Sequence, residues 1–255
     1  MVLVKWKCAP EDVQATFAVR VTTSRPTISL EALRALKNDP ALEIQVHIRC
    51  VYSIQPSRPI TIATSGTIFD DSHKPEDGHF DNLALGMLGG GLSCANAAEG
   101  GAIKRISFGY FKVKRAHQDN DNHPDLRMRP RAEFLTIPAQ NTEKEAMITH
   151  MVTPERLFAY ADGKTPDYLI VGEKYQASLS DGYVGAIWWC WGDLEDDLKE
   201  RKLHAFAKGV SALYHGDDPD VEGLEKEGWT FGEKLPQLKF EIVEGDRSCS
   251  VEVIA

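Results

Sequence analysis

The chain has 255 residues, with 29 Lys+Arg against 38 Asp+Glu, a formal net charge of −9 and an isoelectric point near 5.4. That balance argues against nucleic acid or an anionic membrane surface as the main partner, since both recruit clustered Lys and Arg, and no apolar run approaches the roughly 18–20 residues of a bilayer span. The five cysteines (8, 50, 94, 190 and 249) form no C-x-x-C pair and read as reduced thiols of a cytoplasmic protein, and Met1–Lys7, soon interrupted by lysine, does not read as a signal peptide.

The chain is written mostly in period two. Thr16–Thr22 is the first strand candidate. Leu30–Lys37 has room for about two helical turns before Asn38-Asp39-Pro40 stops them. From Leu42 to Ile54 the apolar positions are the even ones, ending in Cys50, Tyr52 and Ile54, while Glu43, Gln45, His47 and Arg49 stand between them. Successive strand side chains point to opposite faces, so the even set is expected in the core and the odd set in water, with Val51 the one break in the pattern. Pro59–Thr64, Ala102–Val113, Ala132–Ile137 and Glu145–Val152 are further strand candidates. Asp70–Asp81 and Ala116–Pro130, rich in charge and carrying prolines, read as loops.

Two stretches invite chemistry and then fail its requirements. Gly86–Ala95 has the glycines of a phosphate loop without the Gly-Lys-Ser/Thr that completes one. As a nucleophile elbow its G-x-S-x-A at Gly91–Ala95 lacks an α/β context, so it reads as a flexible loop. His117–Asp125 gathers two imidazoles and three carboxylates, but a calcium loop counted from Asp119 would put Pro124 where glycine is needed and Pro130 where glutamate is needed. It reads as a solvated loop, as does the region of His73 and His79. No metal and no cofactor are expected. His150 differs, because it shares a strand face with Ala146, Ile148 and Val152. A histidine so placed is buried, where its titration shifts usefully, and it is the candidate base.

Leu169–Leu179 has the form L-x-x-G-x-x-Y-x-x-x-L, the shape of a tyrosine corner in sandwich folds: Leu169 plugs the core, Gly172 permits the turn and the Tyr175 hydroxyl bonds back to backbone. Tyr183–Trp191 follows, apolar on both faces, with Trp189 and Trp191 on one and Trp188 and Cys190 on the other. Such a strand must be covered twice. Trp189 is expected in the core, and Trp188, under a helix or along a pocket, is a ligand-binding candidate together with Trp191. The expected cover is the chain's own, the surface helix Leu194–Lys208 opened by Gly192-Asp193 or the C-terminal segment, with a partner subunit or a ligand as the alternatives. Leu238–Ile242, the turn Glu244–Arg247 and Cys249–Val253 read as a closing β-hairpin.

Strands divided by turns, without βαβ alternation, define the expected fold: a single all-β domain over 1–255, an antiparallel immunoglobulin-like or arrestin-like sandwich with long loops and one short surface helix. The motifs Ser57-Arg58-Pro59-Ile60-Thr61-Ile62 and Trp188-Trp189-Cys190-Trp191-Gly192, in order with Val19–Leu30 and the Leu169…Tyr175 corner, resemble an uncharacterised family of β-sandwich proteins of filamentous fungi. The resemblance implies fold and source, and no activity comes with it. Two functions are expected on this basis. One is a binding or interaction protein for an apolar small molecule or a protein partner. The other is a cofactor-independent isomerase or cyclase of fungal specialised metabolism, with His150 and Tyr175 as the polar, catalytic groups of an aromatic pocket.

Overall fold

The computed structural model describes residues 8–35, 40–71, 81–96, 104–108, 122–130, 132–158, 165–209, 213–214 and 216–255. His73, His79 and His117, with most of the loop candidate Asp70–Asp81 and the start of Ala116–Pro130, lie outside the described residues. The strands, in chain order, are β1 (Ala15–Thr23), β2 (Thr27–Ser29), β3 (Leu42–Ser53), β4 (Ile60–Ala63), β5 (Met87–Cys94), β6 (Arg105–Ser107), β7 (Phe134–Ile137), β8 (Ala146–Val152), β9 (Lys174–Leu179), β10 (Trp188–Trp191), β11 (Lys202–Ala207), β12 (Trp229–Gly232), β13 (Leu238–Ile242) and β14 (Ser248–Ile254). Short helices are α1 (Leu30–Ala35), α2 (Asn82–Gly86), α3 (Pro154–Phe158) and α4 (Val221–Lys226). The protein is therefore mostly β, with several short helices where one was expected.

One sheet runs β13-β1-β3-β8 and a second runs β2-β14-β9-β5-β6. They share one hydrophobic core, to which the first contributes Phe17, Val19, Ile44, Val46 and Ile48 and the second Ile28, Leu92, Tyr175, Ala177, Leu179 and Val253. A third sheet, β10-β4-β7, lies beside a fourth, β11-β12. A smaller core gathers Leu203, Ala205 and Ala207 of β11 with Trp188 and Cys190 of β10 and Leu126 and Leu198 from the connections. Pairing is not wholly antiparallel: β1 with β13, β2 with β14 and β11 with β12 run parallel. Among the described residues no helix is long and apolar enough to cross a membrane.

The long strand follows its period only as far as its bulge. Leu42, Ile44, Val46, Ile48 and Cys50 are buried as expected, yet Tyr52 is 48 % and Ile54 51 % exposed. Phe17 pairs with Cys50 and Thr16 with Tyr52, so Val51 is an extra residue with no partner on β1. A bulge of one residue reverses the parity beyond it, and Ser53, opposite Ala15, turns inward instead.

Two further expectations change. The closing segment is not a hairpin: β13 lies along β1 in one sheet and β14 between β2 and β9 in the other. The turn Glu244–Arg247, with Gly245 at φ 91 and Asp246 accepting from Val21 N at 3.0 Å, carries the chain across the core instead of back along it. Both strands have an apolar side, and crossing lets each side face the core from its own sheet. Nor is Leu194–Lys208 a helix. Asp193 does cap a turn, accepting from Glu195 N and Leu198 N, but the turns end at 200 and β11 begins at Lys202. Leu203, Ala205 and Ala207 are all buried, a period-two set that the thin helical stripe concealed. Gly86–Ala95 is chiefly β5, not a loop; Gly89 and Gly90 take positive φ where its register with β9 shifts, and Ser93, near the end of the strand, pairs with Arg105 and Gln176.

Candidate functional site

His150 stands on β8, opposite Ile44 of β3, and its side chain is sealed at 1 % exposure. Its Nε2 lies 2.8 Å from the Ile68 carbonyl. A carbonyl only accepts, so Nε2 carries the proton and Nδ1 keeps a lone pair. That Nδ1 is buried without a hydrogen-bond partner among the described residues. Burial above all, with Arg156 adding to it, pushes the imidazole below its usual range, against the Ile68 bond, Asp81 and Asp71. His204 is pushed down as well, by burial and by Arg129.

The pH consequence has a definite sign. With folded values below the unfolded ones, stability is whole above the ordinary imidazole range near 6.5. It falls with pH below that, because the unfolded chain takes up protons that the buried rings refuse. The expected slope is about 1.4 kcal/mol per pH unit for each such proton. Urea titrations at stepped pH measure it, and His150→Gln should flatten the acid limb; an unchanged limb would remove His150 as a cause.

Tyr175 lies on β9, in the other sheet. The corner is built as its spacing implies: Leu169 is buried, Gly172 has φ 88, which favours glycine, and Tyr175 is fully buried. The hydroxyl, however, donates to the Glu173 carboxylate at 2.9 Å instead of to backbone. Glu173 in turn accepts from Ile170 N at 2.9 Å and from Lys104 Nζ at 2.7 Å. A side chain thus replaces the carbonyl of the expected corner, and Lys104 balances its charge. Burial and then Glu173 push the phenol up, so it stays protonated. Tyr175→Phe should cost about 1–3 kcal/mol by orphaning part of this network; chemical denaturation with no loss would disconnect the hydroxyl from stability.

The tryptophans divide between the two cores. Trp189 joins the main one, meeting Trp191 edge to face at 5.5 Å, and its Nε1 donates to the Lys234 carbonyl at 3.0 Å. Trp188 joins the smaller one, and its Nε1 donates to the His204 carbonyl at 3.0 Å. Trp188 is fully enclosed and Trp191 8 % exposed. What lies over Trp188 is the chain's own β11 and β12, through Leu203, Ala205, the His204 carbonyl and Gly232. Behind it His204 is ringed by Phe231, Trp229 and Tyr214, at 4.7, 5.1 and 5.2 Å between centroids. Period-two reading missed this cluster because its members lie on segments that only the fold brings together. His150, Tyr175 and the Trp188–Trp191 strand thus belong to three different sheets, and the hydrogen bonds of each go elsewhere.

His47, assigned by its parity to the wet face, is only 8 % exposed. Its Nδ1 lies 2.8 Å from Glu145 Oε1 and its Nε2 2.8 Å from Thr22 Oγ1, while Arg20 also donates to Glu145 at 2.7 Å. Burial pushes the Glu145 carboxyl up, but the bonds from His47 and Arg20 outweigh it and hold it below the usual range. The order hydroxyl–imidazole–carboxylate is that of a hydrolytic triad. A triad also needs a pocket and oxyanion donors at its hydroxyl, whereas this one lies on a sheet's outer face with Thr22 Oγ1 also 3.2 Å from Gln45 Oε1. It laces β1, β3 and the approach to β8 together. Thiol chemistry is disfavoured too: burial pushes Cys50 and Cys249 up to about 11 and Cys190 up to about 12. Among the described residues no group of three or more His, Cys, Asp or Glu is placed to hold a metal ion.

An open concavity lies elsewhere, where β1 turns into β2 beside α1. This cleft, of about 330 Å³, is walled by Ser24–Thr27, Ser29, Ala32 and Leu33, with Pro40, Ala41 and Pro154 closing the far side. The turn is held by Thr23 Oγ1, which donates toward Arg25 O and Glu43 O at 2.8 and 2.7 Å, and Ser29 Oγ accepts from Ala32 N at 3.2 Å to start α1. Pro26 keeps Arg25 in extended backbone. The sequence shows this only as Thr23-Ser24-Arg25-Pro26-Thr27, since the walls come from the distant ends of β3 and β8.

The molecule is thus a mostly β protein with two sheets around a main core, a flanking β11-α4-β12 unit and a cleft at one end. Compared with protein-family models, with curated proteins and with solved structures, the chain matches none. The functional reading accordingly stands on the chemistry of the site.

Proposed function

We propose that this chain is a binding protein of the immunoglobulin-like or arrestin-like sandwich type, and that its ligand is a small, partly apolar molecule held in the end cleft. The observation that carries the reading is the cleft itself: about 330 Å³, at the small end of ligand-pocket volumes, lined by both apolar residues such as Leu33 and Pro154 and polar ones such as Arg25 and Thr27. The cofactor-independent isomerase or cyclase needs a base that meets its substrate. His150 is sealed, and the Tyr175 hydroxyl is committed to Glu173. Five free thiols suit a reducing, cytoplasmic setting.

The test is thermal unfolding across a panel of small amphipathic molecules, for the native chain and for Ala32→Phe, which enlarges a half-buried side chain of α1 that lines the cleft. A ligand that binds only the folded state raises the transition by mass action. Members of the panel should raise it for the native chain and fail to do so for the filled variant. Equal shifts in both would move the binding site away from the cleft.

A further inference from the structure

Resting on that reading, we infer that the ligand is a carboxylate: a small organic acid whose apolar tail lies along Leu33 and Pro154 while its head group meets Arg25. Among the described residues lining the cleft, Arg25 is the one cation. Its guanidinium is held, not loose: NH1 donates to the Pro40 carbonyl at 2.8 Å, and Nε stands 3.5 Å from Glu43 Oε1. Among the described residues those are its partners, so both NH2 hydrogens are uncommitted on a side chain that is 50 % exposed. A planar fork with one nitrogen anchored and the other open is preorganised for an acid, whose two oxygens match it better than a single hydroxyl does. Ser24, Thr27 and Ser29 line the same cleft, with the Ser24 hydroxyl held by Glu43 and that of Ser29 by Ala255 O and Ala32 N. Glu43 is the counterweight. It faces Arg25 and accepts from Ser24 Oγ, so part of the cation's field is cancelled until an anion competes for it.

This arrangement makes two opposite predictions for two neighbouring residues. Arg25→Gln removes the cation, while Glu43→Gln keeps the shape and removes the competitor. Titration by calorimetry at low salt with hexanoate, hexanol and hexylamine separates the head groups on a constant tail. Hexanoate should bind about tenfold more tightly than hexanol, the worth of one charge-assisted hydrogen bond at a half-exposed position, and hexylamine most weakly. Arg25→Gln should erase the preference for hexanoate over hexanol without changing hexanol binding. Glu43→Gln should strengthen hexanoate several-fold, and Arg25→Lys should retain part of the preference. Hexanol and hexanoate binding equally, or a preference that survives Arg25→Gln, overturns the carboxylate while leaving the cleft as a binding site. No binding by any of the three, or binding undisturbed by Ala32→Phe, overturns the cleft reading itself.

Discussion

Replacing either Trp188 or Trp189 by alanine is expected to cost about 3–5 kcal/mol of folding stability, and by similar amounts. The alternation of the strand had suggested an asymmetry, in which Trp189→Ala unfolds the protein and Trp188→Ala merely alters function. The fold removes the basis for it. Both rings are fully buried, each in its own core, and each indole N–H has a backbone carbonyl as partner. Packing around Trp188 is close enough that a Cβ added at Gly232 would lie 2.3 Å from its Nε1, so Gly232 is small because the ring needs the space. Each alanine variant loses the transfer free energy of an indole, opens a cavity and orphans a carbonyl. Trp188→Phe isolates the last two effects from most of the ring. Urea unfolding curves for the three variants decide the matter: a Trp188→Ala protein as stable as the native one would mean that β11-α4-β12 is a removable lid over a binding surface.

The second large effect is expected at the buried pair Arg156–Asp81. Arg156 Nε and NH2 reach the two Asp81 oxygens at 2.8 and 2.5 Å, and both side chains are under 5 % exposed. Arg156 NH1 also donates to Met151 O at 2.8 Å, and Asp81 caps α2 by accepting from Ala84 N at 3.1 Å. The pair therefore ties the end of β8 and α3 to α2, beside His150. Arg156→Met takes the guanidinium away from a buried carboxylate and should cost about 3–5 kcal/mol, whereas removing both charges should cost clearly less than the sum of the single changes. Asp81→Asn keeps the cap and is the better partner for Arg156→Met in a double-mutant cycle. A coupling near zero would show that the two groups act on stability separately.

Much of the architecture is legible in side-chain order because burial in a strand is a local matter. Ile44, Val46 and Ile48 face inward for the reason their spacing implies, and the Leu169–Gly172–Tyr175 corner forms with its turn and its buried ring. The failures have particular causes. Tyr52 and Ile54 escape the core because of an extra residue opposite β1, which no count along β3 alone can reveal. His47 is covered because Arg20, Thr22 and Glu145 arrive from other segments. Lys202–Ala207 is hard to read as a strand because its buried apolar residues, Leu203, Ala205 and Ala207, are small or few, His204 between them is buried as well, and a stripe of leucines upstream imitates a helix.

What the sequence by itself determined, then, is the predominance of strand, the two-faced burial of the tryptophan segment and the absence of complete nucleotide-loop, nucleophile-elbow and calcium-loop motifs. These depend on residue types and on spacings of two to four along one segment. Only the tertiary structure decided which sheet each closing strand enters, what covers Trp188, and that Arg25, Leu33, Pro40 and Pro154 surround one cleft. Those are relations between segments that lie at nearly opposite ends of the chain, as Ala15 and Leu238 do. Hydrophobic burial is non-directional, so an apolar face specifies that it must be covered and leaves its partner to be selected by the packing of the whole chain.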